Sequence, residues 1–131
     1  MTEHRGWIGV DLDGVLAHYT TWYADGRIGA PVPAMLERVK QWLRDGEEVR
    51  VFTARVAVLD MHERTRQHQL IASWCVEHVG LVLQVTHMKD MHMRVLYDDR
   101  CVQVEPNTGR LVGCEECGVD IHPPPTKPDV T

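Results

Sequence analysis

The chain has 131 residues, of which 44% are hydrophobic and 25% are charged, a composition typical of a single globular domain. Its formal net charge of −5 argues against a role in coating nucleic acid, which needs a basic surface, although recognition of a single phosphate end stays open. No apolar run reaches the ~20 residues that cross a bilayer, and the polar start of the sequence predicts no secretory signal. We therefore expect a cytoplasmic protein with no membrane partner.

The first three quarters of the sequence alternate between strand-like and helix-like patterns. Short runs of apolar and β-branched residues predict strands, and apolar residues on one stripe at helical spacing predict helices. Gly46 and Gly80 mark the ends of the two helices, because glycine commonly follows the last helical turn. In chain order, we predict a strand over 7–10, a helix from Pro33 to Gly46, a strand over 48–52, a helix over about 60–78, and strands over 83–86 and 94–97.

This order of elements predicts an α/β fold. We expect a Rossmann-like three-layer sandwich with a mainly parallel central sheet, since helices that connect successive strands bring the chain back parallel to itself. The segment over 102–112 differs, because a Pro-Asn-Thr-Gly turn between two apolar runs predicts a C-terminal β-hairpin. We expect one domain over residues 1–113 and a C-terminal tail over residues 114–131, which is rich in proline.

Polar and charged residues follow closely on the predicted strands. Ligands of parallel sheets bind outside the carboxyl ends of the strands, so we expect these residues to share one site. Converging carboxylates repel one another, and a hard divalent cation such as Mg²⁺, which prefers oxygen ligands, removes that repulsion. A lysine and a threonine hydroxyl add groups that bind a phosphoryl group. In chain order, the candidate site residues are Asp11, Asp13, Thr53, Arg55, Lys89, Asp98 and Asp99.

Over about residues 7–105, the chain resembles the haloacid dehalogenase superfamily of aspartate-nucleophile phosphatases. This superfamily has four motifs, and all four are matched in order after predicted strands. The residues that carry the resemblance are Asp11-Leu-Asp13-Gly-Val, Thr53, Lys89 and Asp98-Asp99. Thr-Ala-Arg at 53–55 and Asp-Asp-Arg at 98–100 also resemble the phosphatase domain of polynucleotide kinase-phosphatases.

The resemblance implies a magnesium-dependent phosphomonoester hydrolase. It implies that Asp11 attacks phosphorus and becomes an aspartyl-phosphate, while Asp13 protonates the leaving oxygen and later deprotonates water. Mg²⁺ would be held by the Asp11 carboxylate, the Asp13 backbone carbonyl and an acidic pair formed by Asp98 and Asp99. Either member of that pair would serve as the direct ligand, and we favour Asp98.

The substrate side of the site is also implied by the resemblance. Thr53 and Lys89 would bind the phosphoryl group, and Arg55 would contact the substrate or else lie on the surface. The sequence has no insertion long enough for a separate cap domain, so the site suits a phosphorylated small molecule or a nucleic-acid end, and nucleotides are favoured. Trp22 and Tyr23 lie where this superfamily folds a flap over the site, and their contact with substrate is left open.

The alternative is a non-catalytic phosphate-binding or receiver-like domain on the same class of scaffold. Receivers also place acidic residues, a threonine and a lysine around an aspartyl-phosphate. In receivers the acidic pair comes first and the phosphorylated aspartate follows on a later strand, which is the reverse of the order here. The P-loop of kinases is absent from the sequence. The sequence does not predict an oligomeric state.

The four cysteines, which include Cys75 and Cys101, are expected to be free thiols in a cytoplasmic chain. Cys114 and Cys117 have half of a zinc-ribbon spacing, and His122 follows them. A structural zinc site needs four ligands, and no second Cys-x-x-Cys pair supplies the rest. We therefore expect a plain surface turn at these two cysteines rather than a metal or redox site.

Overall fold

The computed structural model describes residues 5–113. The predictions for Cys114, Cys117, His122 and the tail lie outside the described residues. Each predicted strand and helix is present, with ends that differ by no more than about two residues. In chain order, the elements are β1 (Trp7–Asp11), α1 (Pro33–Arg44), β2 (Glu48–Phe52), a 3₁₀ turn (Ala54–Val56), α2 (Met61–His78), β3 (Gln84–Thr86) and β4 (Met93–Tyr97).

The four strands form one parallel sheet in the order β3-β2-β1-β4. The first strand of the chain, β1, lies between β2 and β4 and is buried along its whole length. Asp11 pairs with Phe52 at the end of β2, and Val10 pairs with Tyr97 at the end of β4. The residues that follow β2 and β4 are thereby brought beside Asp11. The predicted α/β fold with a parallel sheet is confirmed.

One face of the sheet carries the apolar core. Side chains alternate between the two faces of a strand, so Ile8 and Val10 share a face that Trp7 does not. Both helices pack into the same apolar cluster as these two residues, and within residues 5–113 they therefore form one layer on one side of the sheet. The described chain thus supplies two of the three predicted layers. Buried members of the cluster include Ile8, Val10, Val49, Val51, Met35, Val39, Ile71, Trp74 and Cys75.

The opposite face of the sheet carries Trp7, Arg50 and Asp90, here called the Trp7 cluster. Trp7 is fully buried, and the guanidinium carbon of Arg50 lies 4.5 Å from the centre of its ring. The Trp7 indole donates a hydrogen bond of 2.8 Å to Asp90 Oδ1, and Arg50 pairs with Asp90 at 3.4 Å. Gly9 leaves room for the ring, because a Cβ there would lie 3.0 Å from the nearest ring atom of Trp7.

Local sequence signals explain the ends of the helices. Asp60 caps α2 by accepting a hydrogen bond of 3.0 Å from the Glu63 amide, and such a cap contributes about 1 kcal/mol. Gly46, just past α1, has a φ of +82°, a conformation that glycine adopts without strain. Within residues 5–113, no helix combines the length and the apolar character needed for a membrane crossing.

The predicted C-terminal hairpin is present around a single antiparallel bridge between Val104 and Leu111. The Glu105 amide donates a hydrogen bond of 2.7 Å to the Arg110 carbonyl, and the turn between them includes Asn107 at a φ of 65°. The bridge does not extend into longer strands. Val104 is exposed, and a two-stranded ribbon is only marginally stable unless it packs against other structure.

Candidate active site

Three carboxylates converge at the carboxyl edge of the sheet. Asp11 ends β1, while Asp98 and Asp99 follow β4, its neighbour in the sheet. One carboxylate oxygen from each residue lies within 4.8 Å of the other two. Asp11 is buried, Asp98 is half-buried and Asp99 is exposed, so the cluster opens to solvent on one side. A set of oxygen ligands that is open to water fits Mg²⁺, which retains several waters when it binds proteins.

The turn after β1 orients Asp11 and admits Asp99. The Leu12 amide donates a hydrogen bond of 2.9 Å to Asp11 Oδ1. Gly14 has a φ of +96°, and a Cβ at this position would lie 2.5 Å from Asp99 Oδ2. Glycine is the residue that meets both the left-handed backbone and the close approach of the carboxylate. The glycine that follows Asp13 in the first motif is therefore required by the geometry of the acidic cluster.

The carboxylate of Asp13 is not one of the three and pairs instead with Arg55. Arg55 Nε and Nη2 donate hydrogen bonds of 2.7 and 3.0 Å to the two Asp13 oxygens. The side chains of Arg55 and Asp13 are only 4% and 14% exposed. Removing one partner of such a pair leaves a charge that water cannot fully solvate. The predicted metal contact of Asp13 through its backbone carbonyl stays a prediction.

Thr53 lies where β2 ends and is almost fully buried. Its amide donates a hydrogen bond of 2.9 Å to the Thr86 carbonyl at the end of β3. Its hydroxyl oxygen accepts a hydrogen bond of 3.1 Å from the Arg55 amide, which begins the 3₁₀ turn. The hydroxyl keeps its own proton available as a donor, so the predicted hydrogen bond from Thr53 to a phosphoryl oxygen is compatible with this geometry.

Lys89 lies exposed in the loop after β3. Partial burial raises the pKa of the nearby Cys101 thiol, the carboxylates of Asp98 and Asp99 raise it further, and the charge of Lys89 lowers it. The charges of Lys89 and of the acidic pair therefore act on the same sulfur. Lys89 does not line the pocket beside Asp11, and its predicted phosphoryl contact stays a prediction.

A pocket of about 340 Å³ opens beside Asp11. Four of the predicted site residues line it: Asp11, Asp13, Thr53 and Arg55. The remaining walls come from the loop after β1, from the first turns of α2 with the segment before them, and from the segment after β4. The side chains that define these walls are Tyr19, Trp22, Val58, Glu63, Gln67 and Arg100.

Two polar residues of α2 that line the pocket, Glu63 and Gln67, were not predicted from the sequence. Gln67 lies at helical spacing from Ile71 and Trp74, which are core residues of the same helix. A polar side chain on the apolar stripe of a helix must find hydrogen-bond partners inside the protein. The position of Gln67 on such a stripe was therefore the sequence signal that could have identified it. Hydrogen bonds from Arg66 and Gln67 hold the pKa of Glu63 below its usual value, so Glu63 is a carboxylate at neutral pH.

No protein-family model matches this chain, and no curated protein does. Among solved structures, it is similar to the structure of a conserved protein coded by a locus from Bacteroides thetaiotaomicron. The two chains are 19% identical and superpose with a TM-score of 0.48, over 74% of this chain and 78% of that chain. A likeness of this size carries no argument about function, so the resemblance to the haloacid dehalogenase superfamily stays a prediction.

Proposed function

We propose that this protein is a magnesium-dependent phosphomonoester hydrolase of the haloacid dehalogenase type, which acts through an aspartyl-phosphate at Asp11. The observation that carries the proposal is the convergence of Asp11, Asp98 and Asp99 within 4.8 Å. Asp11 also lines the adjoining pocket, so a phosphate ester bound in the pocket would meet the nucleophile at the acidic cluster.

The carboxylates of Asp11, Asp98 and Asp99 would hold Mg²⁺, which when bound offsets the negative charge of the carboxylates and the phosphoryl oxygens. The hydrogen bond of 2.9 Å from the Leu12 amide fixes the orientation of the Asp11 carboxylate. A fixed nucleophile favours attack in line with the leaving oxygen. The attack forms a bond between an Asp11 oxygen and phosphorus, and the bond from phosphorus to the ester oxygen breaks.

Asp13 would provide the proton transfers. It lines the same pocket as Asp11 and follows it by two residues. In the first step Asp13, once it has taken up a proton from solvent, would donate that proton to the leaving ester oxygen, so that an alcohol departs rather than an alkoxide. In the second step it would accept a proton from the water that attacks the aspartyl-phosphate, which releases inorganic phosphate and restores Asp11.

The pocket favours a small phosphate ester or a single terminal nucleotide. Ligand pockets in proteins measure about 300–1,000 Å³, and a volume of about 340 Å³ lies at the lower end of that range. Tyr19 and Trp22 supply aromatic walls, which suit a flat leaving group. Thr53 and Arg100 supply donors for the phosphoryl oxygens.

Hydrolysis of p-nitrophenyl phosphate tests the proposal. We expect turnover that requires Mg²⁺, stops with EDTA and is abolished in Asp11→Asn, because an amide cannot form the acyl-phosphate. Asp45→Asn is a matched control, because Asp45 is an exposed carboxylate after α1 whose side chain accepts a hydrogen bond from Gln41. Turnover in metal-free buffer, or turnover retained by Asp11→Asn, would contradict the proposal. Phosphate-ester binding without turnover would favour the non-catalytic alternative.

A further inference from the structure

We propose that Arg55 is a positioning residue for Asp13 rather than a substrate ligand, and that the buried amide of Gln67 and the flap hold Arg55 in place. The flap is defined here as residues 19–27, which form part of the pocket wall. This inference rests on the proposed function, because it concerns how the proton-transferring carboxylate of that reaction is oriented.

The hydrogen bonds of Arg55 use every donor that its guanidinium has. An arginine side chain carries five N–H groups and no acceptor. Arg55 Nε and Nη2 bind the two Asp13 oxygens at 2.7 and 3.0 Å. Nη1 donates to the Gly26 carbonyl at 2.6 Å and to Gln67 Oε1 at 3.0 Å, and Nη2 also donates to the Arg27 carbonyl at 3.4 Å. No N–H group of this side chain is left to bind a phosphate ester.

Burial makes this arrangement rigid. With its side chain only 4% exposed, Arg55 cannot exchange its partners for water. Its guanidinium carbon lies 4.6 Å from the centre of the Trp22 ring, and this stacking restrains the plane of the guanidinium. A planar fork held from both sides fixes the two Asp13 oxygens through bidentate bonding, which a lysine could not reproduce.

Gln67 provides the anchor in α2. The residue is 1% exposed, and the two ends of its side-chain amide bind different charged residues. Gln67 Oε1 accepts from Arg55 Nη1 at 3.0 Å, while Gln67 Nε2 donates to Glu63 Oε2 at 2.7 Å. Glu63 in turn accepts two hydrogen bonds of 3.1 Å from Arg66, which donates to the Asp25 carbonyl of the flap at 2.7 Å. The chain of hydrogen bonds therefore returns to the flap.

The flap and Asp13 thus depend on the same guanidinium. Two of its five acceptors are the backbone carbonyls of Gly26 and Arg27 in the flap. Gly26 lies close to α2, because a Cβ at this position would come within 3.2 Å of Gln67 Nε2. When the flap is docked, Asp13 is held in the orientation described here. If the flap moved away, Arg55 would lose two of its acceptors, and the Asp13 carboxylate would no longer be held in a fixed orientation.

The test compares phosphate monoesters whose leaving groups differ in basicity, from p-nitrophenyl phosphate to an alkyl phosphate. A poor leaving group needs the proton from Asp13, whereas p-nitrophenolate does not. We expect Gln67→Met and Arg55→Lys to lower kcat for the alkyl ester by about 100-fold and kcat for the aryl ester by only a few-fold, as expected for a misdirected general acid. Asp13→Asn should give the same pattern, and KM for both esters should change little.

Arg50→Lys is the matched control, because Arg50 also stacks on a tryptophan and pairs with an aspartate but lies in the Trp7 cluster. It should leave the dependence on leaving group unchanged. If Gln67→Met and Arg55→Lys instead raise KM for both esters, or lower both kcat values equally while Asp13→Asn shows the selective pattern, the positioning role is overturned and the hydrolase proposal stands. Where Arg55→Lys does not fold, Gln67→Met alone decides. Turnover retained by Asp11→Asn would instead overturn the proposed function.

Discussion

Arg50 and Arg55 are separated by only a few residues, and each lies over a tryptophan ring. The guanidinium carbon of Arg50 is 4.5 Å from the centre of the Trp7 ring, and that of Arg55 is 4.6 Å from the centre of the Trp22 ring. Arg50 lies within β2 on a face of the sheet, whereas Arg55 lies in the 3₁₀ turn just past the end of the strand. The same stacking of arginine on tryptophan therefore occurs once on a packed face of the sheet and once at the carboxyl edge, where ligands of parallel sheets bind.

The two arginines differ in how their aspartate partners are held. Arg50 reaches Asp90 through one contact of 3.4 Å, and the two side chains are 18% and 47% exposed. Arg55 donates two hydrogen bonds to Asp13, and both side chains are more buried than those of Arg50 and Asp90. An exposed ion pair contributes little to stability. A buried bidentate pair fixes the orientation of both side chains, and loss of either partner lowers the free energy of unfolding because it leaves a buried charge unpaired. The two arginines therefore differ in role because of where they lie relative to the end of β2. Arg50 covers a tryptophan ring, whereas Arg55 orients an aspartate.

Removing each guanidinium tests this difference most strongly. In Arg55→Met the Asp13 carboxylate would stay buried without its partner, and we expect a loss of about 3 kcal/mol in the free energy of unfolding. In Arg50→Met the Trp7 ring loses its cation, and we expect a loss of about 1 kcal/mol. Urea denaturation of both variants beside the wild type measures the two values.

Turnover of an alkyl phosphate separates the same two variants by function, because only a poor leaving group needs the proton from Asp13. Arg50→Met should hydrolyse it at the wild-type rate, because the Trp7 cluster contributes nothing to the pocket beside Asp11. Equal losses of stability in Arg50→Met and Arg55→Met, or a loss of turnover in Arg50→Met, would contradict the distinction between the two clusters.

Two glycines sharpen the comparison further, since Gly14 makes room for a carboxylate of the acidic cluster and Gly9 makes room for the Trp7 ring. In Gly14→Ala the new methyl group would lie at 2.5 Å from Asp99 Oδ2, and the φ of +96° would be strained. We expect the displaced carboxylate to raise the Mg²⁺ concentration needed for half-maximal turnover by about tenfold. The rise in melting temperature on adding Mg²⁺ should shrink as well, because a weaker ligand stabilises less.

Gly9→Ala is the control for that prediction. Its methyl group would lie 3.0 Å from a Trp7 ring atom and from Leu96 Cδ1, and the next nearest atom is Phe52 Cβ at 3.7 Å. It should lower the melting temperature through overpacking and leave the Mg²⁺ requirement unchanged. A tenfold change in the Mg²⁺ requirement of both variants would show that Asp99 is not specifically involved.

The smallest effect concerns pH and Asp90. The hydrogen bond from the Trp7 indole, the His92 amide and the charge of Arg50 hold the pKa of Asp90 below its usual value of about 3.9. Because the folded pKa is the lower one, this interaction stabilises the fold above about pH 4 and is lost as pH falls through the folded pKa. The difference in the free energy of unfolding between the wild type and Asp90→Asn, measured by urea denaturation, should therefore become smaller as the pH falls from 7 to 3. A gap that widens on acidification would contradict the assignment.

Much of the fold followed from local patterns in the sequence. Apolar runs and glycine positions gave the strands and helices, and the rule for parallel strand ends brought Asp11 and Asp98 to one edge of the sheet. The C-terminal hairpin was predicted from its turn residues, but turn chemistry does not supply a surface for the strands to pack on. Val104 and Leu111 consequently form a single bridge.

The partners of Arg55 could not be derived in this way. Gly26 and Gln67 are 29 and 12 residues away from it in the chain, and each reaches it from a different segment. Periodicity assigns a residue to a face of a helix or strand, but it does not specify which distant polar groups meet across a turn. Lys89 shows the converse: the sequence suggested its place in the proposed motif, whereas the exposure of its side chain depends on the course of a loop.

The central position of β1 delays completion of the acidic cluster during biosynthesis. β1 leaves the ribosome before the other strands of the described sheet, whereas its sheet neighbour β4 begins only at Met93. Synthesis proceeds at about 5–20 residues per second and domains generally fold as units, so the nascent chain carries Asp11 for several seconds without Asp98 and Asp99. Under the proposed function, hydrolysis therefore begins only when almost the whole described domain has been made, and a prematurely terminated chain would be inert.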